Sequence, residues 1–221
     1  MYNIGVYGAN GRVGQYVIEV ISNDAKSNLS YSFSRDGNND ITALCQSSDI
    51  IIDFTLPAAT PILLDTAIKH NTAIVSGVTG YTPAEYKLLA KTAQYIPILH
   101  AANMSIGINL LNNLLAQTTD ILGDDFDITI SELHHRHKRD KPSATALALN
   151  ESMHNKAEIA SLRAGGSFCE HEIKFLSQEE EIGLQHRILS RKVFAEGALK
   201  AAKWLHNKPA GLYNMQNIFD N

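Results

Sequence analysis

The chain opens Tyr2-Asn3-Ile4-Gly5-Val6-Tyr7-Gly8-Ala9-Asn10-Gly11-Arg12-Val13-Gly14. The first six residues read as a strand, and Gly11 begins an amphipathic stretch running to Ser22. Where a strand turns into a helix across glycines, backbone N–H groups and the positive end of the helix dipole face the turn. Phosphate is the natural ligand there. A plain tight turn is the alternative, and Asn10 stands where the usual dinucleotide fingerprint carries glycine. The strand before the turn and the helix after it favour a dinucleotide, held by Gly8, Ala9, Asn10, Gly11, Arg12 and Val13.

The same alternation continues outward. Strands are predicted at residues 2–7, 29–34, 49–55, 72–76 and 96–99, with helices at 11–22, 57–70 and 83–94. Pro57 and Pro83 both sit where a first helical turn tolerates a missing N–H. Strand–helix alternation with right-handed crossovers predicts a parallel sheet, an α/β domain of Rossmann type. After Asn103 the rhythm changes. A long helix at 106–122 precedes a strand at 126–132, a charged loop and a helix at 143–153. Residues 170–176 and 181–189 then read as an antiparallel hairpin about the turn 177–180. A helix at 191–205 and a tail at 212–219, spaced to pack back on a core, complete the chain.

A formal charge of -4 excludes the broad positive field of a non-specific nucleic-acid binder, so no nucleic-acid partner is expected. The N-terminus shows no leader pattern, and no apolar run approaches the ~18 residues of a spanning helix. A cytoplasmic protein without a membrane partner is the expectation. Cys45 and Cys169 are the only cysteines and read as reduced, buried small residues.

At the end of the second predicted strand, Phe33-Ser34-Arg35-Asp36 occupies the place where an acidic side chain normally accepts the ribose hydroxyls of NAD. Ser34 removes a repulsion against a 2′-phosphate and Arg35 can pair with one, so NADPH is as acceptable as NADH. A strand end one residue later would restore an acidic contact through Asp36. An exposed Arg–Asp turn is the bland alternative.

Glu132-Leu133-His134-His135-Arg136-His137-Lys138-Arg139-Asp140-Lys141-Pro142-Ser143-Ala144-Thr145 concentrates cationic groups in an otherwise acidic chain. Pro142-Ser143-Ala144-Thr145 opens a helix, so hydroxyls, free amides and a positive dipole end lie beside the imidazoles and an ammonium. A small polyanion fits such a place, with Ser143 among its contacts, and histidine and lysine there could move protons. Alternatives are a solvated basic loop and a metal bound by His134, His135 and His137. No HExxH motif or cysteine pair accompanies those histidines, and no metal is expected.

These residues resemble the dihydrodipicolinate reductase signature. The likeness extends to the Gly8–Gly14 loop, Asp53-Phe54-Thr55, Gly77-Val78-Thr79-Gly80, Ala101-Ala102-Asn103-Met104-Ser105-Ile106-Gly107 and Phe194-Ala195-Glu196-Gly197-Ala198. The resemblance implies a Rossmann-like domain of residues 1–104 plus about 207–221. It also implies a substrate and oligomerisation domain of about 105–206, α+β on an open mixed or antiparallel sheet, assembling as a homotetramer. By the same resemblance Phe54, Thr55, Gly77, Val78, Thr79, Ala101, Ala102, Asn103 and Met104 join the cofactor site. His135, Ala144 and Thr145 contact a substrate carboxylate, His134 is the acid/base group and Lys138 the proton donor.

The implied reaction is NADPH- or NADH-dependent reduction of a small cyclic imine dicarboxylate in lysine and diaminopimelate biosynthesis. Two departures from the family pattern stand out: Ala144 replaces a glycine, and only 16 residues separate Ala146 from Arg163, a stretch usually longer. The rival expectations are a nicotinamide-binding regulator without turnover, and another amino-acid dehydrogenase sharing only the Rossmann half.

Overall fold

The computed structural model describes residues 1–37, 39–166 and 169–219. The chain forms two compact units, Met1–Ile106 with Arg191–Asn221, and Gly107–Ser190.

In the first unit β1 (Tyr2–Tyr7), β2 (Ser27–Phe33), β3 (Ile50–Asp53), β4 (Ala73–Ser76) and β5 (Pro97–His100) alternate with α1 (Arg12–Ser22), α2 (Ile41–Ser47), α3 (Thr60–His70) and α4 (Pro83–Thr92). Every pairing in the sheet is parallel, and β10 (Gly211–Tyr213) adds an edge beside β5, giving the order β10-β5-β4-β3-β1-β2. Both faces are covered, so β3 is apolar without alternation until Asp53. Ile50 and Ile52 pack with Val17 and Ile21 of α1, while Ile51 packs with Leu44, Leu63 and Leu89 on the opposite face.

The helix predicted from residue 57 is broken. Pro57–Ala59 is a 3-10 turn, and α3 starts at Thr60 with Pro61 in its first turn. In a continuous helix from 57, Pro61 would lose an interior bond and strike the preceding carbonyl. Asp40 caps α2 through Oδ1, accepting from the amides of Thr42 and Ala43 at 2.9 and 3.0 Å.

The second unit holds α5 (Ile106–Leu122, its first residue in the first unit), β6 (Asp127–His134), α6 (Ala144–Ser152), β7 (Glu158–Arg163), β8 (Cys169–Leu176) and β9 (Glu181–Ile188). The sheet order is β7-β6-β8-β9, with β6–β7 parallel and the other pairs antiparallel. One face carries Ile128, Ile130, Ile173 and Phe175 against Leu111 and Leu115 of α5 and Leu149 of α6. On the other face Leu162 is exposed.

Helix α7 (Lys192–Leu205) belongs to the first unit, although from sequence the second domain runs to 206. Its small residues Ala195, Ala198, Ala201 and Ala202 pack in the core shared with α1 and the parallel sheet. Gly197 permits the approach: a Cβ there would stand 1.7 Å from the Met104 carbonyl oxygen. The tail packs back as its spacing predicts, with β10 paired and Met215 buried.

Candidate active site

In the first unit the glycine turn is fixed by its backbone. Gly8 has φ +92°, a left-handed conformation open to glycine. The amides of Gly8 and Ala9 donate to the Phe33 carbonyl at 3.2 and 3.0 Å, and that of Gly11 to the Gly8 carbonyl at 2.9 Å. A Cβ on Gly14 would come within 2.1 Å of the Gly8 oxygen, so α1 starts hard against the turn. Its first-turn amides have no carbonyl one turn earlier and remain open to an anion.

Beside this turn the carboxyl ends of β3, β4 and β5 are latched in series. Gly77 N donates to Asp53 O at 2.8 Å, and Ala101 N to Ser76 O at 3.1 Å. A Cβ on Gly77 would meet the Phe54 ring at 2.3 Å, so the glycine makes room for the aromatic. Asp53 is fully buried; its Oδ1 accepts from Thr55 N and Oγ1 at 2.8 and 2.7 Å and so orients the Phe54–Thr55 turn. Burial pushes the Asp53 carboxyl up to about 6 against those two hydrogen bonds.

A cavity of about 600 Å³ is lined by Gly8, Asn10, Gly11, Phe33, Ser34, Arg35, Asp36, Phe54 and Thr55, among others. Strand β2 ends at Phe33, so Ser34 directly follows it and Arg35 and Asp36 lie in the exposed turn beyond. Other predicted cofactor residues are placed differently. Ala9, Val78 and Met104 are buried, leaving only their backbone to offer a ligand. Arg12, Thr79 and Ala102 are exposed, and Val13, Gly77, Ala101 and Asn103 are half-buried.

In the second unit the alternation of β6 continues past Glu132. Glu132 and His134 point to the buried face, whereas from sequence His134 lies in a loop beyond a strand ending at 132. That face turns polar at its end. Fully buried Glu132 accepts through Oε1 from Ser143 N at 3.0 Å and from Arg163 Nη2 at 2.8 Å. Its Oε2 lies 3.2 Å from His134 Nδ1 and 3.9 Å from His171 Nε2. Burial alone would raise the Glu132 carboxyl, but the hydrogen bonds from Ser143 and Arg163 outweigh it and hold it at about 2. Burial lowers His134, opposed by the neighbouring Glu132 charge. Burial, then the His134 charge, push His171 down to about 4.

The turn after β6 is closed by Lys138 N donating to His135 O at 3.1 Å. The Lys138 ammonium lies 2.8 Å from Asp140 Oδ2. The hydrogen bond from Lys138 holds the Asp140 carboxyl below the usual range, helped by the Ala144 backbone amide at the opening of α6. Ser143 is the N-cap of α6: its Oγ accepts from Ala146 N at 3.1 Å and lies 3.4 Å from His171 Nε2. It is therefore turned into the buried cluster rather than toward an outside ligand, because a cap must face the helix it closes. Ala144 is exposed at the helix start, His135 and Thr145 are half-buried, and Arg136, His137 and Arg139 face solvent.

Three residues of this cluster carry no site role in the sequence reading: Arg163, Cys169 and His171. Cys169 is half-exposed, unlike buried Cys45, and its Sγ lies 3.2 Å from His134 Nε2. The signal was present as the alternation Cys169, His171, Ile173, Phe175, which sets all four on the face that His134 shares.

Two family models cover the chain: dihydrodipicolinate reductase, N-terminus, over residues 2–104, and dihydrodipicolinate reductase, C-terminus, over 107–219. The 4-hydroxy-tetrahydrodipicolinate reductase of Rickettsia peacockii is 42% identical over 238 aligned positions, covering 99% of both chains. That of Pseudoalteromonas translucida is 37% identical, covering 98% of this chain and 97% of its own. The dipicolinate-bound dihydrodipicolinate reductase of Paenisporosarcina sp. TG-14 superposes with a TM-score of 0.82 over 99% of both chains at 19% identity, a likeness of fold. Full-length relatives and both halves of one family's models agree with the glycine turn and the Glu132–His134 strand end: the chain belongs to the dihydrodipicolinate reductase family, the NAD(P)H-dependent 4-hydroxy-tetrahydrodipicolinate reductases of lysine biosynthesis.

Proposed function

We propose that the enzyme binds the cyclic imine dicarboxylate at the strand end and helix start of the second unit, and that His134 and Lys138 handle the proton of its reduction. The observation that carries this is the buried Glu132 carboxylate 3.2 Å from His134 Nδ1, one turn away from an ammonium held at the opening of α6. A reduced nicotinamide, NADPH or NADH, supplies the hydride when bound. The first unit suits such a group: a turn that only glycines fit, open first-turn amides, and a cavity of about 600 Å³ reaching Ser34 and Arg35.

Gly8, Asn10 and Gly11 would hold the pyrophosphate, with Arg12 and Val13 presenting first-turn amides, and Ala9 contributing through its backbone. Ser34 and Arg35 would receive the ribose, with NADPH accepted through Arg35. Phe54, Thr55, Gly77, Val78, Thr79, Ala101, Ala102, Asn103 and Met104 would form the remaining wall.

For the substrate, the Lys138 ammonium and the Ala144 and Thr145 amides are the groups Asp140 engages or neighbours, so a substrate carboxylate competes with Asp140 for them. His135 lies beside them in sequence, and Ser143 acts by fixing the helix start. Hydride addition to a ring carbon of the conjugated imine pushes an electron pair through the ring and leaves an enamine, which then needs a proton on carbon. Cationic groups stabilise that negative charge more than they stabilise the substrate. The Glu132 charge beside it favours the protonated imidazole, and Lys138 delivers the proton.

The relative solved with dipicolinate supports a ring dicarboxylate as the ligand class. A homotetramer built on the second unit's open sheet face, which leaves Leu162 uncovered, and a cytoplasmic location complete the proposal. Replacing His134 or Lys138 with alanine is expected to lower turnover by ~10²-fold or more with the fold retained. Near-normal turnover in both variants would overturn the assignment.

A further inference from the structure

His134, Cys169 and His171 present one ligand atom each, and those atoms lie within 4.8 Å of one another. Cys169 Sγ is 3.2 Å from His134 Nε2 and 4.0 Å from His171 Nδ1. A tetrahedral zinc centre with bonds of about 2.0 Å to nitrogen and 2.3 Å to sulfur sets its S···N pairs about 3.5 Å and its N···N pairs about 3.3 Å apart. The two S···N distances bracket the first of these separations, and with all three atoms within 4.8 Å side-chain rotation closes the remainder.

The outer contacts match what a metal-binding imidazole needs. A ligating histidine ordinarily turns its second nitrogen to a carboxylate or another fixed polar group, which sets the tautomer. Here His134 Nδ1 lies 3.2 Å from Glu132 Oε2, and His171 Nε2 lies 3.9 Å from the same oxygen and 3.4 Å from Ser143 Oγ. That oxygen and His134 Nδ1 are both buried without a hydrogen-bond partner, so the pair is in close charge contact rather than bonded, while Oε1 is anchored by Ser143 and Arg163. Both imidazoles therefore have their outer nitrogens within 4 Å of one carboxylate oxygen, with Ser143 Oγ as the hydrogen-bond partner of His171, and their inner nitrogens within 4.0 Å of one sulfur. Paired antiparallel strands supply the three residues, with His134 opposite Cys169 in register, so the set is held by the sheet and not by a loop. Half-exposed Cys169 gives the way in.

We propose that His134 Nε2, Cys169 Sγ and His171 Nδ1 form a binding site for a borderline-soft divalent cation such as Zn²⁺, with a solvent water as fourth ligand, and that occupancy blocks the enzyme. Binding forms one S–metal and two N–metal bonds, and the Cys169 thiol proton leaves to solvent; no electrons are transferred. The cation occupies the nitrogen through which His134 would exchange a proton, so the metal acts as an inhibitor. The inhibition rests on the proposed role of His134. The binding does not.

The test is titration of the metal-free full-length enzyme with Zn²⁺ against a chromophoric chelator, and with Co²⁺ for the near-ultraviolet band of a thiolate–cobalt bond. Wild type, Cys169→Ser and His137→Ala are compared, with circular dichroism confirming that each is folded. The expected result is one ion per chain with a thiolate band, affinity ~10²-fold weaker in Cys169→Ser and unchanged in His137→Ala. Zn²⁺ should also stop turnover of wild type, whereas Cys169→Ser should turn over as fast with Zn²⁺ as it does without it. Equal Zn²⁺ affinity in wild type and Cys169→Ser, loss of binding in His137→Ala, or no thiolate band would each overturn the site. Binding with these features but without inhibition would overturn only the blocking step and would count against His134 as the acid/base group.

Discussion

Glu132 has no exposed surface, yet hydrogen bonds hold its carboxyl at about 2. A carboxyl lowered in the fold stabilises it above the unfolded value of 4.5, and that contribution is lost as pH falls toward 2. His171 is lowered too, from 6.5 to about 4, so the unfolded chain takes up that proton first. Stability should therefore decline in two stages, from about 6.5 to 4 through His171 and from about 4.5 to 2 through Glu132. The His171 stage is of the order of 3 kcal/mol. Denaturant unfolding over this pH range checks it: His171→Gln should flatten the upper stage and Glu132→Gln the lower, whereas a wild-type curve level down to pH 4 would deny that His171 is buried neutral. In the first unit, Arg35 lines the cavity of about 600 Å³ from an exposed turn. Arg35→Ala is expected to weaken NADPH ~10-fold more than NADH, read by fluorescence titration. Equal losses would remove Arg35 from a 2′-phosphate site.

At the scale of elements, two helices depend on a missing Cβ. A methyl at Gly197 would meet the Met104 carbonyl oxygen at 1.7 Å, and backbone cannot yield as a side-chain tip can. Gly197→Ala should cost about 3 kcal/mol in a denaturation measurement, and a loss below about 1 kcal/mol would show that α7 can lift away without penalty. At Gly14 the same change meets the Gly8 oxygen at 2.1 Å, so Gly14→Ala should weaken nicotinamide nucleotide ~10-fold or more by displacing the turn; unchanged affinity would separate the turn from the cofactor.

The parallel strands were legible in sequence because burial on both faces writes them as apolar runs between glycine and proline signals. Helix α2 and strand β7 were not predicted. The first spans only seven residues and is announced mainly by its Asp40 cap, and the second alternates with Glu158, Ser161 and Arg163, which reads as surface. His134 was recognised from its motif but misplaced in a loop, since two polar residues at the end of an apolar alternation mimic a strand's stop. Cys169 and His171 escaped because their place beside His134 comes from register with β6, a non-local fact.

Over the whole molecule, the proposed function assigns the hydride donor to the first unit and the proton to the second. A doubly covered parallel sheet presents a glycine turn and a wall of strand ends, and a one-sided mixed sheet ends in a buried carboxylate–imidazole pair with an ammonium beside a helix start. The shortening between Ala146 and Arg163 leaves the second unit with a closed core, since β7 still pairs with β6 along six residues and Leu149 and Met153 remain buried. The most direct test is to follow nicotinamide absorbance when the purified enzyme, charged with NADPH or NADH, meets imine substrate freshly made by the preceding aldolase. Oxidation should begin at once and stop in proportion to the substrate added. Tight cofactor binding with no oxidation under those conditions would contradict the account.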